Sequence, residues 1–372
     1  MNNKKLTTEA LISILCDDAH ESNELLKKPI PPYIVKDVTE SQIGSKTVFK
    51  LIPAKAQYQK RLNEHFFSKI PINNSAIAYV KNKSYLDMFE PHKNSYHFLR
   101  IDIKSFFHSI DRDLLKETLS SHISDDIFYK NGKVQQTLID AVLNILTLNL
   151  GEDFKDKDLN SKEVLPIGFH SSPVVSNIVF RKFDFLIQKL CSKNNIIYTR
   201  YADDMFFSSN ADSTFLHSDH FINEVSYILS LGNFKLNHTK TLKEKNMISL
   251  NGYVIESKGK NSKVGSIRLS NKKTERICKI INKLDQNITH KDILKKVTGL
   301  RERDIRVRYT KGKNQFISQY YKSQIINLLA GYRAYLLSII KFNHSYNCVE
   351  FKYIEKYEKI IDKLQKHLLR LM

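Results

Sequence analysis

Apolar and polar positions follow two rhythms along this chain, and each change of rhythm marks an element. Over residues 1–30 the apolar positions recur at helical spacing, until "KKPIPPYIVKD" breaks the pattern with three prolines. Residues 46–53, "KTVFKLIP", alternate with the two-residue period of a strand, and 54–70 return to a helical pattern. "YHFLRIDI", residues 96–103, is a strongly apolar strand with one acid near its end, and "GEDFKDKDLNSKE", 151–163, is polar and loop-like. "HSSPVVSNIVFRKFDFLIQKL" opens a helix to about Leu190, with Ser172 as N-cap and Pro173 at the first helical position. Residues 196–209 read as strand, turn, strand, and "LNGYVIES", 250–257, as a further strand. Beyond about 265 the pattern is helical, with breaks near 286–290 and 309–314. The last helix carries Tyr353, Ile354, Tyr357, Ile360, Ile361, Leu364, Leu368 and Leu371 at 3–4 spacing. The pattern predicts a mixed α+β body followed by an all-α tail.

Composition narrows the partners more than the fold. The 372 residues suffice for two or three subdomains. Lys and Arg total 59 against 39 Asp and Glu, a net charge of +20 that suits a polyanionic partner and salt-sensitive binding. An ordinary lysine-rich surface gives the same count, so charge alone decides little. Cys16, Cys191, Cys278 and Cys348 are scattered without a CxxC pair, which favours a reducing compartment over disulfides or a zinc site. His217 and His220 in "HSDH" have no matching ligand pair. The N-terminal stretch reads as an amphipathic helix rather than a signal peptide, and no apolar run approaches the roughly 20 residues of a membrane span. A cytoplasmic protein without a membrane partner is expected.

The candidate chemistry lies in "RYADDMFFSS", Arg200 to Ser209, where Asp203 and Asp204 stand side by side in a strand-like aromatic segment. Taken alone, the pair reads as a solvated turn. Phosphoryl transfer to a 3′-hydroxyl offers another reading, because two divalent ions need carboxylates brought together on rigid elements. Asp102, at the end of "FLRID", supplies a third acid from another strand. A carboxylate following Phe98, Leu99 and Ile101 is costly to bury without a metal or a partner.

The order "DIKSFF", "LPIGFHSSPVVSN", "RYADD", "LNHTKT" resembles the palm motifs of bacterial reverse transcriptases, most of all retron and related defence-associated enzymes. The resemblance runs from about Lys46 to about residue 257. It implies a right-hand polymerase fold: an N-terminal helical segment (1–30), fingers (31–97), a palm whose first catalytic strand is 98–112, a helical insertion (113–163), the rest of the palm (164–257) and a basic helical thumb (258–372). It also implies two Mg²⁺ ions, with Mn²⁺ as substitute, held by Asp102, the Ile103 carbonyl, Asp203 and Asp204. Lys240 of "LNHTKT" would assist the departing pyrophosphate, or be a surface lysine. Lys46 and Lys50 would meet the triphosphate. Phe107 falls at the steric-gate position that excludes a 2′-hydroxyl, unless it is plain core packing. Ile167 and Gly168 would border the nucleotide, and Ser172, Pro173, Asn177 and Tyr201 would buttress the site.

The chain departs from the family pattern in three places. Ile167 replaces the Gln of "PQG". "MFEPH" (Met88 to His92) stands for the retron "NAxxH", and "LNG" (Leu250 to Gly252) for "VTG". A literal "VTG" at Val297 to Gly299 comes too late in the chain to match. The expected function is RNA-directed DNA synthesis from deoxynucleoside triphosphates, on a noncoding RNA template and in an antiphage setting. Room remains for a homo-oligomer or a second defence protein. Template-independent or protein-primed synthesis, and a catalytically impaired RNA-binding scaffold, are the alternatives.

Overall fold

The computed structural model describes residues 5–44, 46–152, 154, 162–259, 265–307 and 312–372. Two compact units divide the chain: 1–88 with 99–243, and 89–98 with 244–372. The second unit takes up the chain again at 244, ahead of the expected thumb start at 258. The physical reason is a three-stranded antiparallel sheet, Met247–Leu250, Tyr253–Ser257 and Gly265–Leu269, which belongs with the helical tail. It is tied there by Asn246 N–H donating to the Tyr96 carbonyl (2.7 Å) and Ile267 N–H to the Cys348 carbonyl (2.7 Å).

The first unit is built around the Leu99–Asp102 end of strand His97–Asp102 with strands Asp204–Ser209 and Ile197–Tyr201, the three lying side by side in that order. The last two form a hairpin in which Tyr201 pairs with Asp204. Helices Thr8–Leu15, Pro53–His65, Arg112–Leu119, Leu138–Leu146, Ser172–Lys193 and Asp219–Ser230 close a single core with them. Leu99 and Ile101 meet Phe180, Phe183, Phe207 and Phe221 in that core. One face of the strand, with Leu99 and Ile101, fills this core, while the other carries Phe98, Arg100 and Asp102. A separate hairpin, Val38–Ile43 with Lys46–Leu51, carries Phe49 into a smaller cluster with Tyr33, Leu148 and Phe169.

In the second unit Asn251 and Gly252, with φ of +49° and +89°, make the two-residue turn between Leu250 and Tyr253. Asn-Gly suits this turn because both positions need positive φ. Helices Asn271–Asp285, His290–Thr298, Lys313–Tyr346 and Phe351–Leu371 follow. The last buries Tyr357, Ile360, Leu364 and Leu368, four of the eight residues of the predicted stripe, and the Tyr357 hydroxyl accepts the Leu269 N–H at 2.9 Å.

Three local expectations change, and two more lie largely outside the described residues. Residues 265–269 are a strand, not the start of a helix, because "GSIRL" completes the sheet. The 113–163 region is not purely helical: it contains the hairpin Ile127–Asn131 with Val134–Thr137. The expected polar loop at 151–163 and the break near 309–314 lie largely outside the described residues. Helix Lys313–Tyr346 holds an 18-residue window of mean hydropathy 1.3, long and apolar enough to cross a membrane by length and composition alone. Only 22 % of that window is buried, although the helix as a whole buries Ile317, Tyr321, Ile325, Leu329, Leu336 and Ile339. The four cysteines are free thiols.

Candidate active site

Asp102 ends its strand with only 3 % of its surface exposed. Leu99, Ile101 and Ile103 enter the core, so Arg100 and Asp102, two apart, share the opposite face. Just beyond, the chain pairs with 235–237: Asn237 N–H donates to the Asp102 carbonyl and Lys104 N–H to the Lys235 carbonyl, both at 2.8 Å. This pairing delivers two donors to the buried carboxylate. Asn237 Nδ2 lies 3.1 Å from Asp102 Oδ1, and Lys240 Nζ lies 3.1 and 3.2 Å from its two oxygens. The desolvation cost of the acid is offset by these contacts.

Asp203 and Asp204 separate because one sits in the turn and the other on the strand. Ala202, with φ of +55°, occupies a region that costs a residue with a Cβ about 1–2 kcal/mol. Arg200 Nη1 holds it by donating to the Ala202 carbonyl at 3.1 Å. The Asp203 carbonyl accepts the Ile103 N–H at 3.0 Å, which locks the turn against the end of the Asp102 strand. Its carboxylate is 3.4 Å from Lys46 Nζ. Asp204 turns instead to Arg100, whose Nε donates to Oδ1 at 2.9 Å and whose Nη2 reaches the same oxygen. Burial pushes the Asp204 pKa up, Arg100 opposes the rise, and Asp203 and Asp102 add to it, for a net increase.

A cavity of about 440 Å³ is lined by Asp102, Ile103, Asp203, Lys46, Lys240, Phe107 and Ile167, so seven of the predicted site residues share one space. Asn237 and His108 complete part of its wall. Asp204 is not on that wall. Among the described residues no group of three or more His, Cys, Asp and Glu side chains is placed to hold a metal ion. The two carboxylates that face the cavity still suit Mg²⁺, which is commonly bound through one or two carboxylates together with water and substrate phosphates.

The segment after Asp102 is a turn over 104–109, not a strand, with Ser105 at φ +50°. The two phenylalanines lie edge to face with ring centroids 5.3 Å apart and both line the cavity, but they differ in burial. Phe106 is 3 % exposed and packs on Phe180 and Phe234 with ring centroids 5.4 and 5.9 Å away. Phe107 is half-buried on the cavity, 6.3 Å from the Tyr79 ring. Burial, with Asp203 adding to it, pushes the Tyr79 hydroxyl up to about 12.

The remaining predicted residues lie outside the cavity. Gly168 has φ of +103°, and a Cβ there would stand 2.4 Å from the Phe49 carbonyl oxygen and 2.6 Å from Val48 Cγ1. Close approach to the Lys46–Leu51 strand thus accounts for the glycine, and the Ile167 carbonyl accepts the Phe49 N–H at 2.8 Å. Lys50 is exposed on that strand, and its charge lowers the pKa of His170 after burial and Lys60. The helix is capped at Ser171 rather than Ser172, without a side-chain cap bond, and Pro173 sits in its first turn. Ser172 Oγ instead donates to the Pro166 carbonyl at 2.6 Å, bracing the loop that bears Ile167. Asn177 Nδ2 donates to the Ala78 carbonyl at 2.8 Å, and its Oδ1 accepts from Arg200 Nη2 at 3.2 Å. Tyr201 stacks edge-on with Tyr85 at 4.7 Å. His217 and His220 form no metal group among the described residues.

Sequence reasoning missed Arg100, Asn237, Tyr79 and the buried Arg200–Asp184 pair. Arg100 had a signal: it stands two residues before Asp102 in "LRID". Arg200 had a weaker one, a cation at an otherwise apolar strand position.

A family model described as reverse transcriptase (RNA-dependent DNA polymerase) matches residues 4–255, a longer stretch than the motifs alone indicated. The chain is 31 % identical over 186 residues to the Retron Ec83 reverse transcriptase of Escherichia coli, covering 50 % of this chain and 55 % of that protein. It is 32 % identical over 195 residues to the Retron Ec73 reverse transcriptase of Escherichia coli, covering 51 % and 57 %. These matches span little more than half the length of either relative. With the family model covering well over half of its residues, the chain belongs to the reverse transcriptase family, whose right-hand polymerase fold its α+β architecture fits.

Proposed function

We infer that this protein is an RNA-directed DNA polymerase, extending a DNA 3′ end on an RNA template from deoxynucleoside triphosphates. The observation that carries the reading is the pair of carboxylates, Asp102 and Asp203, set on one cavity by separate chain segments joined through the Ile103–Asp203 backbone bond. These two acids and the Ile103 carbonyl would hold Mg²⁺, or Mn²⁺ in its place, which when bound activates the attacking hydroxyl and neutralises charge on the phosphates. Lys240, already beside Asp102, is in reach to donate a proton or charge to the leaving pyrophosphate. Lys46 offers the triphosphate a cation at the mouth. Phe107 limits the room beside the sugar, and Ile167 gives that wall an apolar surface where the family has an amide. Asp204, fixed by Arg100, sets the local field.

A noncoding RNA template and an antiphage setting in the cytoplasm extend the same reading, and the likeness to retron reverse transcriptases supports them. A second copy or a second defence protein is the partner class to look for. The test is primer extension by the purified full chain on poly(rA)·oligo(dT), beside sequencing of any nucleic acid that copurifies. Asp102→Asn and Asp203→Asn should each abolish incorporation while RNA binding persists. Incorporation by the double variant near the wild-type rate would overturn the assignment. Product made without template would favour template-independent or protein-primed synthesis, and RNA binding without any incorporation a scaffold.

A further inference from the structure

The second unit holds a cavity of about 570 Å³ that the polymerase reading leaves unused. Leu284, Ile288 and Ile317 give it an apolar wall. Tyr321 also lines it, 3 % exposed, and its buried hydroxyl has no hydrogen-bond partner among the described residues. A hydroxyl left so costs about 1–3 kcal/mol, which a ligand able to bond it would recover.

Two helices begin at the cavity. His290 and Lys291 open His290–Thr298, while Asn314 and Ile317 lie in the first turns of Lys313–Tyr346. The second helix starts at Gly312 with no side-chain cap, and Asn314 of its first turn lines the cavity, so the positive end of its dipole lies at that wall. Lys291 is already paired with Glu302 at 2.7 Å, but Arg370, exposed on the cavity, makes no ion pair among the described residues. The site therefore combines one available cation, a helix N-terminus, a flat apolar wall and an orphan hydroxyl. Its volume lies within the range of small-molecule pockets.

We propose that this cavity binds a nucleoside phosphate, with the phosphate on Arg370 and the first-turn amides of Lys313–Tyr346. The base lies against Ile317 and Leu284 and bonds the Tyr321 hydroxyl. The same chemistry comes from an unpaired nucleotide of a bound strand or from a free nucleotide. Calorimetric titration of the full chain with adenosine 5′-monophosphate, with an eight-nucleotide oligo(A) RNA and with inorganic phosphate tests it.

Tyr321→Phe, which removes an unsatisfied group and so spares the fold, should weaken the bound probe about fivefold, and Arg370→Gln about tenfold. Lys46→Gln, in the other cavity, reports any binding of the probes at the polymerase site instead. Loss of affinity for the mononucleotide in the first two variants identifies a free-nucleotide site. Loss for the oligonucleotide alone identifies a strand nucleotide. The proposal falls if neither probe binds, if both variants bind as the wild type does, if Lys46→Gln alone loses affinity, or if inorganic phosphate binds as tightly as the nucleotide.

Discussion

Asp184→Asn should destabilise the protein by about 3–5 kcal/mol, the cost of leaving one charge of a buried pair without its partner. Arg200 and Asp184 are both fully buried, and the guanidinium grips the carboxylate through Nε at 2.9 Å and Nη2 at 2.7 Å. The Tyr198 hydroxyl donates to the same carboxylate at 2.7 Å, and burial holds that hydroxyl far above its ordinary pKa, so it remains a donor. The guanidinium also lies 4.4 Å from the Phe180 ring centroid. Burial lowers the Arg200 pKa and Asp184 raises it; with Asp184 gone, the intrinsic basicity of a guanidinium still keeps the arginine charged. An asparagine keeps the shape and one acceptor, and strands the positive charge. Against a typical unfolding free energy of about 5–15 kcal/mol, such a loss is a large fraction of the whole.

Urea denaturation followed by far-UV circular dichroism measures it in the transition of the first unit. A loss below about 1 kcal/mol would refute the reasoning, because it would mean water or another group already compensates Arg200. Arg200→Lys provides the complementary arm. It keeps the charge near Asp184 but gives up the planar fork that also reaches Ala202 and Asn177. Its stability loss should be smaller, while kcat falls with KM little changed, because Ala202 is the residue before Asp203.

Phe107→Val should raise ribonucleotide use relative to deoxynucleotide use, read as a ratio of kcat/KM values, whereas Phe106→Ala should cost about 3–5 kcal/mol of stability and leave the ratio alone; the reverse outcome refutes the assignment of the two rings. Burial drives the pKa of His92 down to about 3 from 6.5, so the unfolded chain takes a proton that the folded chain refuses. Its contribution is whole above about pH 6.5 and is lost as pH falls toward 3, at up to about 1.4 kcal/mol per unit, and an acid-limb slope unchanged in His92→Gln would exclude it. Gly168→Ala should cost about 2–6 kcal/mol, from positive φ and from contact with Phe49 together, and a loss under 1 kcal/mol in chemical denaturation would show that the loop yields.

Much of the catalytic half was legible because its signals are local. The alternation of "KTVFKLIP", the proline-opened helix and the strand–turn–strand around Ala202 each depend on a few consecutive residues, and each formed where its pattern lay. Contacts between residues distant in sequence were not legible in that way. Asp184 and Arg200 meet from a helix and a strand, and nothing in either neighbourhood names the other. The strand Gly265–Leu269 was hidden because "SIRLSNKKTE" runs directly into a helix whose cap is Ser270, so the helical period masks five extended residues. The cavity beneath Tyr321 draws its walls from residue 284 to residue 371, and no window of sequence contains it.

The adjacent acids of "RYADD" can stand side by side because the fold answers each carboxylate with a cation from a different segment. Asp102 has Lys240, Asp203 has Lys46 and Asp204 has Arg100, whose Nη2 also lies 3.9 Å from Asp102. The answers differ in kind. The Lys240 and Lys46 side chains are 48 % and 58 % exposed, flexible point charges at the edge of the cavity, whereas Arg100 is 19 % exposed and grips Asp204 through two nitrogens. Lys46, 3.4 Å from Asp203 in water-accessible space, contributes about 1 kcal/mol or less and yields readily to a competing cation. A partly buried two-nitrogen contact to arginine does not yield so easily. The same three letters that look equivalent in the sequence therefore divide into two carboxylates that a divalent ion can claim and one that is already committed. On this reasoning Arg100→Leu should release Asp204 toward the cavity and alter the Mg²⁺ concentration needed for half-maximal activity. Lys46→Ala should change the triphosphate KM and leave that metal requirement in place. Identical metal titrations for Arg100→Leu and wild type would show that the arginine contact does not distinguish Asp204 from its neighbours.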